Sequence, residues 1–221
     1  MEVAMSSTQQ KTITGGVYLV LNPAMDTSEL LHKLKQALDG SVDVLQIWNN
    51  WPDDITPKEK QKMVQQLLEV AKPYDVPVLI NDEWELLAET QLDGVHFDKI
   101  PDNLKEIRQK LDRDFLIGIT CGNDLQVIRR GEALGADYFS FCAMFPSSSV
   151  DDCEIVRPDT VQKAREITEK PLFVSGGITP ENLPKLENLD IEGVAVISGI
   201  LSADDPRQAS LDYHQALKNL N

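Results

Sequence analysis

The chain has 221 residues, a formal net charge of −15 at pH 7, 42% hydrophobic residues and 26% charged residues. This length holds one sizeable core, and the acidic balance excludes partners that need a basic field, such as nucleic acid or an anionic membrane surface. Any anionic ligand must be gripped by local N–H donors or through a metal, against the overall charge.

The opening residues, MEVAMSSTQQKT, are polar and lack the apolar stretch of a secretion signal. Residues 1–14 are expected to form a flexible tail ahead of one domain spanning 15–221. The first apolar run, GVYLVL (16–21), reads as a strand, and SELLHKLKQALDG after it has the three- and four-residue spacing of a helix. The second run, DVLQIW (43–48), leads into the loop NNWPDDIT (49–56) and then the helical stretch TPKEKQKMVQQLLEVAKPY. Further strand-like runs are PVLIN (77–81), GVHF (94–97), FLIGIT (115–120), DYFSFC (137–142), PLFVSG (171–176) and GVAVIS (193–198). Thr56-Pro57 and Thr179-Pro180 read as an N-cap followed by proline at the first helical position, and Gly135 as a helix stop. Eight apolar runs alternating with helices in about 200 residues fit a parallel sheet covered on its outside. The expected fold is α/β, a single (β/α)8 TIM barrel. The polar interruption PSSSVDDCEIVRPD (146–159), after the sixth run, is a candidate binding loop.

The seventh run ends on Gly176-Gly177 and the eighth on Ile197-Ser198-Gly199. In barrels, the loops after strands seven and eight often hold a phosphate on backbone N–H groups, where a bare glycine lets the oxygens approach. Two tight strand-to-helix turns would leave the same trace. Cys121, Cys142 and Cys153 have no metal-ligand spacing, and an odd count without a secretion signal reads as a reduced cytoplasm. No apolar run is long enough for a membrane span.

Four segments, VLINDEWELLAETQLDGVHF (78–97), GADYFSFCAMFPSSS (135–149), FVSGGITPENL (173–183) and IEGVAVISGIL (191–201), together resemble the thiamine phosphate synthase family. The resemblance implies a transferase of thiamine biosynthesis. Such an enzyme joins hydroxymethylpyrimidine diphosphate to thiazole phosphate, with loss of pyrophosphate, using Mg2+. It implies that Gly176, Gly177, Ile197 and Ser198 bind the thiazole phosphate, with Ser147 and Ser149 on the loop beside it. It also implies that Gln46, Asn81 and Thr120 meet the pyrimidine and its diphosphate, and that Asp82 binds the metal. The implied partners are small phosphorylated substrates, and the barrel allows a homo-oligomer.

The diphosphate half departs from the family. Trp48, Asn50 and Val150 stand where the family has Arg, Lys and Lys, and Pro101 stands where it has a second magnesium carboxylate. Asp98 and Asp102 flank that place and are candidates to substitute, though neither is in register. Two alternatives therefore stay open: a binder of a phosphorylated heterocycle without turnover, and a relative of the similar thiazole tautomerase family. That family has a catalytic His near the place of Gly122. Several residues have plain structural readings: Cys121 as a small buried residue, His96 as a satisfied histidine, Asp82 as an N-cap for the third helix, and Trp48 as space filling or a stacking surface. His32 and His214 fall on helices, and Asp151, Asp152 and Glu154 read as solvated loop charges.

Overall fold

The computed structural model describes residues 11–146 and 154–220. Eight strands pair in parallel in chain order and the eighth returns to the first, closing a barrel. They are β1 (Gly16–Leu21), β2 (Val44–Ile47), β3 (Val78–Asn81), β4 (Gly94–Phe97), β5 (Leu116–Cys121), β6 (Tyr138–Phe141), β7 (Leu172–Ser175) and β8 (Gly193–Val196). The helices are α1 (Thr27–Asp39), α2 (Pro57–Ala71), α3 (Leu86–Glu89), α4 (Leu104–Leu111), α5 (Gln126–Ala133), α6 (Pro158–Arg165), α7 (Ser198–Leu201) and α8 (Pro206–Lys218). The expected (β/α)8 barrel is what the chain forms.

Strand alternation divides the apolar residues into two cores. Val17, Leu19, Leu21, Leu45 and Ile47 point outward and pack under the helices. Tyr18, Val20, Val44, Leu79, Leu116, Tyr138 and Phe173 point inward and fill the barrel together with Ile13. Ile13 is buried, and Lys11 donates to the Val76 carbonyl at 2.9 Å and pairs with Asp93 at 3.2 Å. Lys11 and Ile13 of the expected tail are therefore packed against the barrel, while Thr12 and Thr14 are exposed.

At the N-terminal ends of the strands a fourfold device recurs. The residue before or near each even strand is an acid, and its carboxylate accepts the N–H of the odd strand preceding it. Asp43 takes Val17 at 2.7 Å, Asp93 takes Val78 at 2.8 Å, Asp137 takes Ile117 at 2.7 Å, and Glu192 takes Leu172 at 2.7 Å. These are short, charge-assisted bonds to strand-end donors that lack a neighbour of their own. Burial raises the Asp137 carboxyl, opposed by the bond from Ile117. Asp137→Ala is expected to lower unfolding stability by about 1–3 kcal/mol, because it strands a partly buried N–H; urea titration with an unchanged slope would measure it.

The caps follow local chemistry. Thr56 and Glu59 form a full capping box at α2, and α2 stops at Ala71, two residues before Pro73. The helix expected after Thr179-Pro180 does not form. Thr179 and Asn182 exchange bonds of 2.9 and 3.3 Å and are followed by only a 3-10 turn, Leu183–Leu186. Pro184 explains this, since it lacks the N–H that would bond back to residue 180. Among the described residues no helix is long and apolar enough to cross a membrane.

Candidate active site at the C-terminal mouth

The inward residues nearest the C-terminal strand ends are polar, unlike those below them. Gln46 on β2, Asn81 on β3, His96 on β4 and Ser140 on β6 are all buried, and Thr120 on β5 is half-buried. Strand register places Asn81 beside His96 and Thr120 beside Ser140. A line of hydrogen bonds crosses the barrel interior. Tyr18 donates to Gln46 Oε1 at 2.6 Å, and its hydroxyl lies 2.7 Å from that of Tyr138. The Tyr138 hydroxyl is 2.8 Å from His96 Nδ1, and His96 Nε2 is 2.8 Å from Thr120 Oγ1. Gly118, opposite in the sheet, makes room for Tyr138: a Cβ there would fall 2.1 Å from the tyrosine ring. That strand glycine was the available sequence signal for the buried tyrosine.

His96 is the satisfied histidine expected, with both ring nitrogens occupied. Its pKa is pushed down to about 4, chiefly by burial, with the Asp98 charge acting the other way. The unfolded chain takes up this proton near pH 6.5 and the folded chain resists it until about pH 4. Stability from this group is complete above pH 6.5 and is lost as pH falls toward 4, in total on the order of 3 kcal/mol. Denaturant titrations of wild type and His96→Asn across that range should converge as the pH falls, because the variant has no proton to take up.

The end of β3 carries a second cluster. Asp82 sits at φ +55°, a left-handed conformation that Asp tolerates better than most side chains. Its Oδ1 accepts the Asp98 N–H at 3.0 Å. Asn81 Nδ2 reaches Asp98 Oδ1 at 3.2 Å and the His96 carbonyl at 3.3 Å. Thr120 Oγ1 lies 3.4 Å from the same Asp98 oxygen. The N-cap reading for Asp82 is corrected: α3 is capped at Glu85 without any side-chain bond. Burial first, then the neighbouring Asp98 charge, raises the Asp82 carboxyl above the usual range. The carboxylate that joins Asp82 is thus Asp98, which contacts it directly; Pro101 has no carboxylate to offer. Asp98 is two residues beyond inward-facing His96, so alternation could have placed it.

Around this acidic pair the described residues offer little positive charge. Trp48 packs against the inner core, which favours the space-filling reading. Asn49 donates to Asp82 at 3.4 Å and Asn50 to Asn22 at 3.0 Å. Lys60 is bound to Glu83 at 2.6 Å and lies 5.0 Å over the Trp51 ring. Arg157 is exposed beside Asp159, and Lys99 is exposed. Ser147, Ser149, Val150, Asp151, Asp152 and Cys153 lie outside the described residues.

On the other side of the mouth, Gly176 and Gly177 have φ of +84° and +63°. A Cβ on Gly176 would lie 2.5 Å from Ala143 Cα, and one on Gly177 would lie 2.5 Å from the Pro146 carbonyl oxygen. The bare backbone is therefore required by conformation and by close approach of the loop after β6. Among the described residues nothing accepts from the Gly177 N–H. Ile197 immediately precedes α7, which begins at Ser198. Cys121 is a buried free thiol whose burial raises its pKa, as the structural reading had it. His32 is exposed and His214 half-buried.

A parallel barrel with polar side chains gathered at the C-terminal mouth is the arrangement of a barrel enzyme, whose active site sits at that end. The family model described as thiamine monophosphate synthase matches residues 17–200, so the chain belongs to the thiamine monophosphate synthase family. It is 33% identical over 198 residues to the thiamine-phosphate synthase of an Azoarcus species, covering 90% of this chain and 95% of that one. It is 30% identical over 204 residues to the thiamine-phosphate synthase of Geobacillus kaustophilus, covering 91% of each. Thiamine phosphate pyrophosphorylase from Pyrococcus furiosus superposes with a TM-score of 0.77 at 20% identity, over 93% of this chain and 96% of that one. At that identity the superposition speaks for the fold.

Proposed function

We propose that the chain is a transferase joining hydroxymethylpyrimidine diphosphate to thiazole phosphate, forming thiamine phosphate and pyrophosphate. The observation that carries this reading is the joining of Gln46, Asn81, Asp82 and Thr120 at one barrel end. Asp98 and His96 link Asn81, Asp82 and Thr120, and the line through the two tyrosines brings in Gln46. In the reaction the bond between the pyrimidine methylene carbon and the diphosphate oxygen breaks, its electron pair leaving with pyrophosphate. A lone pair on the thiazole nitrogen forms the new bond to that carbon.

The residues divide the work. Backbone N–H groups at Gly177 and at Ile197–Ser198 grip the thiazole phosphate; Ser147 and Ser149 are assigned to it by the family resemblance alone. This mode needs no cation and so suits an acidic protein. Gln46 and Thr120 orient the pyrimidine, and Asn81 reaches its diphosphate. Asp82 and Asp98 are the residues that would hold Mg2+. Their fit rests on the raised Asp82 carboxyl: two carboxylates in contact without a countercharge gain from a cation between them. Two carboxylates are too few for an all-protein site, and among the described residues no cluster of three metal-type ligands exists. The ion would lean on diphosphate oxygens, as magnesium usually does. Bound there, it would offset the charge that grows on the leaving group. We place the protein in the cytoplasm, with small phosphorylated substrates as partners.

The test is formation of thiamine phosphate by purified protein with both substrates and magnesium. Product should appear only when both substrates are present. Binding of thiazole phosphate with no product would instead support a binder without turnover.

Asn50→Lys tests the depleted half. Asn50 is exposed, and among the described residues its side chain bonds to Asn22 alone. A lysine there should raise kcat/KM for the diphosphate about tenfold or more, since a charge-assisted contact is worth roughly 1.5–3 kcal/mol. Steady-state kinetics at low salt reads it.

A further inference from the structure

The line from Thr120 to Gln46 is single file, and each hydroxyl and the neutral imidazole has one proton to give. Fixing the sense of one bond therefore fixes the rest. At 2.6 Å the Tyr18–Gln46 contact fits O–H···O and is shorter than the N–H···O range, so the tyrosine donates to the amide oxygen. With that proton used, the 2.7 Å contact between the tyrosines must carry the proton of Tyr138. His96 must then donate from Nδ1 to Tyr138, and its Nε2 must accept from Thr120. Thr120 has no proton left for Asp98, and that distance, 3.4 Å, is longer than an O–H···O bond. Both ends of the line agree on one direction.

The consequence falls on Gln46. Its Nε2 has no partner among the described residues, yet no side-chain N or O there is buried without one. The amide nitrogen is therefore the accessible end of an otherwise buried side chain. We infer that Tyr18, Tyr138 and His96 are positioning residues that hold the Gln46 amide with its NH2 group toward the mouth, so that the pyrimidine is read by donation to a ring nitrogen and not by acceptance from its exocyclic amine. This rests on the reading that the pyrimidine docks on Gln46. The chemistry suits the reaction. A neutral amide donor leaves the ring unprotonated, and the free exocyclic amine can push its lone pair toward the methylene carbon as the diphosphate leaves.

The first test needs no substrate and no change in the line. In the full chain labelled with 15N-histidine at neutral pH, NMR should show the His96 proton on Nδ1, with the other two signals assigned through His32→Gln and His214→Gln. A proton on Nε2, or a doubly protonated ring, overturns the inference. The second test is calorimetric binding, with magnesium, of two analogues of hydroxymethylpyrimidine diphosphate. Replacing the recognised ring nitrogen by CH should weaken binding about tenfold, while removing the exocyclic amine should weaken it less than threefold. Tyr138→Phe should level the two, since the Gln46 amide is then free to turn; if that variant does not fold, the NMR result and the wild-type comparison still decide. The reverse preference in wild type overturns this inference alone. No binding of any pyrimidine diphosphate overturns the transferase reading and this inference together.

Discussion

Asp82→Asn is expected to lower kcat/KM by a factor of about 10²–10³ while leaving the fold and thiazole phosphate binding intact. The substitution isolates charge. Asparagine tolerates the φ of +55° as aspartate does, and its Oδ1 can still accept the Asp98 N–H. What is lost is one negative charge of the pair that would hold the metal, and metal stabilisation of a leaving group is worth several kcal/mol. Because burial and Asp98 already raise this carboxyl, the variant should unfold at equal or slightly higher denaturant concentration than wild type. Kinetics at saturating thiazole phosphate, with magnesium titrated, would show the loss chiefly in kcat/KM for the diphosphate. Unchanged kinetics would remove Asp82 from the metal site.

Gly177→Leu should abolish thiazole phosphate binding and lower stability by at least about 2 kcal/mol. Both effects follow from one position. The φ of +63° disfavours any β-carbon, and that carbon would lie 2.5 Å from the Pro146 carbonyl oxygen. The loop after β6 must move, and the Gly177 N–H moves with it. Gly122→Ala is the contrast, because nothing lies within 4 Å of a Cβ at Gly122. It should change stability by less than about 0.5 kcal/mol. Calorimetry with thiazole phosphate and a urea titration on both variants separate the two positions. A Gly177→Leu protein that binds the phosphate as well as wild type would rule out the cradle.

The barrel was legible because parallel strands buried on both faces leave apolar runs that polar or amphipathic segments separate. The strand ends shifted by only a residue or two; DYFSFC, for example, contracts to Tyr138–Phe141. Thr179-Pro180 misled because Pro184, four residues on, acts against the helix that the cap begins. Asn81, Gln46 and Thr120 were legible as mouth residues because motif and alternation agree on them, whereas Asp82, next to inward-facing Asn81, rested on the motif alone. Asp98 was named only as a substitute out of register, alongside Asp102, because the family register pointed to Pro101; the two-residue step from His96 singles it out. The Tyr18–Tyr138–His96 line was hidden for a different reason. A tyrosine inside an apolar strand looks like core until its hydroxyl meets another from five strands away. The fourfold acids before β2, β4, β6 and β8 were visible as letters, but their acceptors are N–H groups of the preceding odd strands, which only the closed sheet brings near.

The central claim is that one mouth holds two unlike anion sites, a thiazole phosphate cradle of backbone N–H groups and a diphosphate site that depends on metal at Asp82 and Asp98. Calorimetric titration of each half-substrate, with magnesium and with a chelator, tests it most directly. Thiazole phosphate should bind equally in both conditions, and hydroxymethylpyrimidine diphosphate should bind more weakly than thiazole phosphate and lose at least about tenfold in affinity when magnesium is removed. Diphosphate that binds tightly and equally without magnesium would contradict the account, since cations outside the pair would then carry the charge.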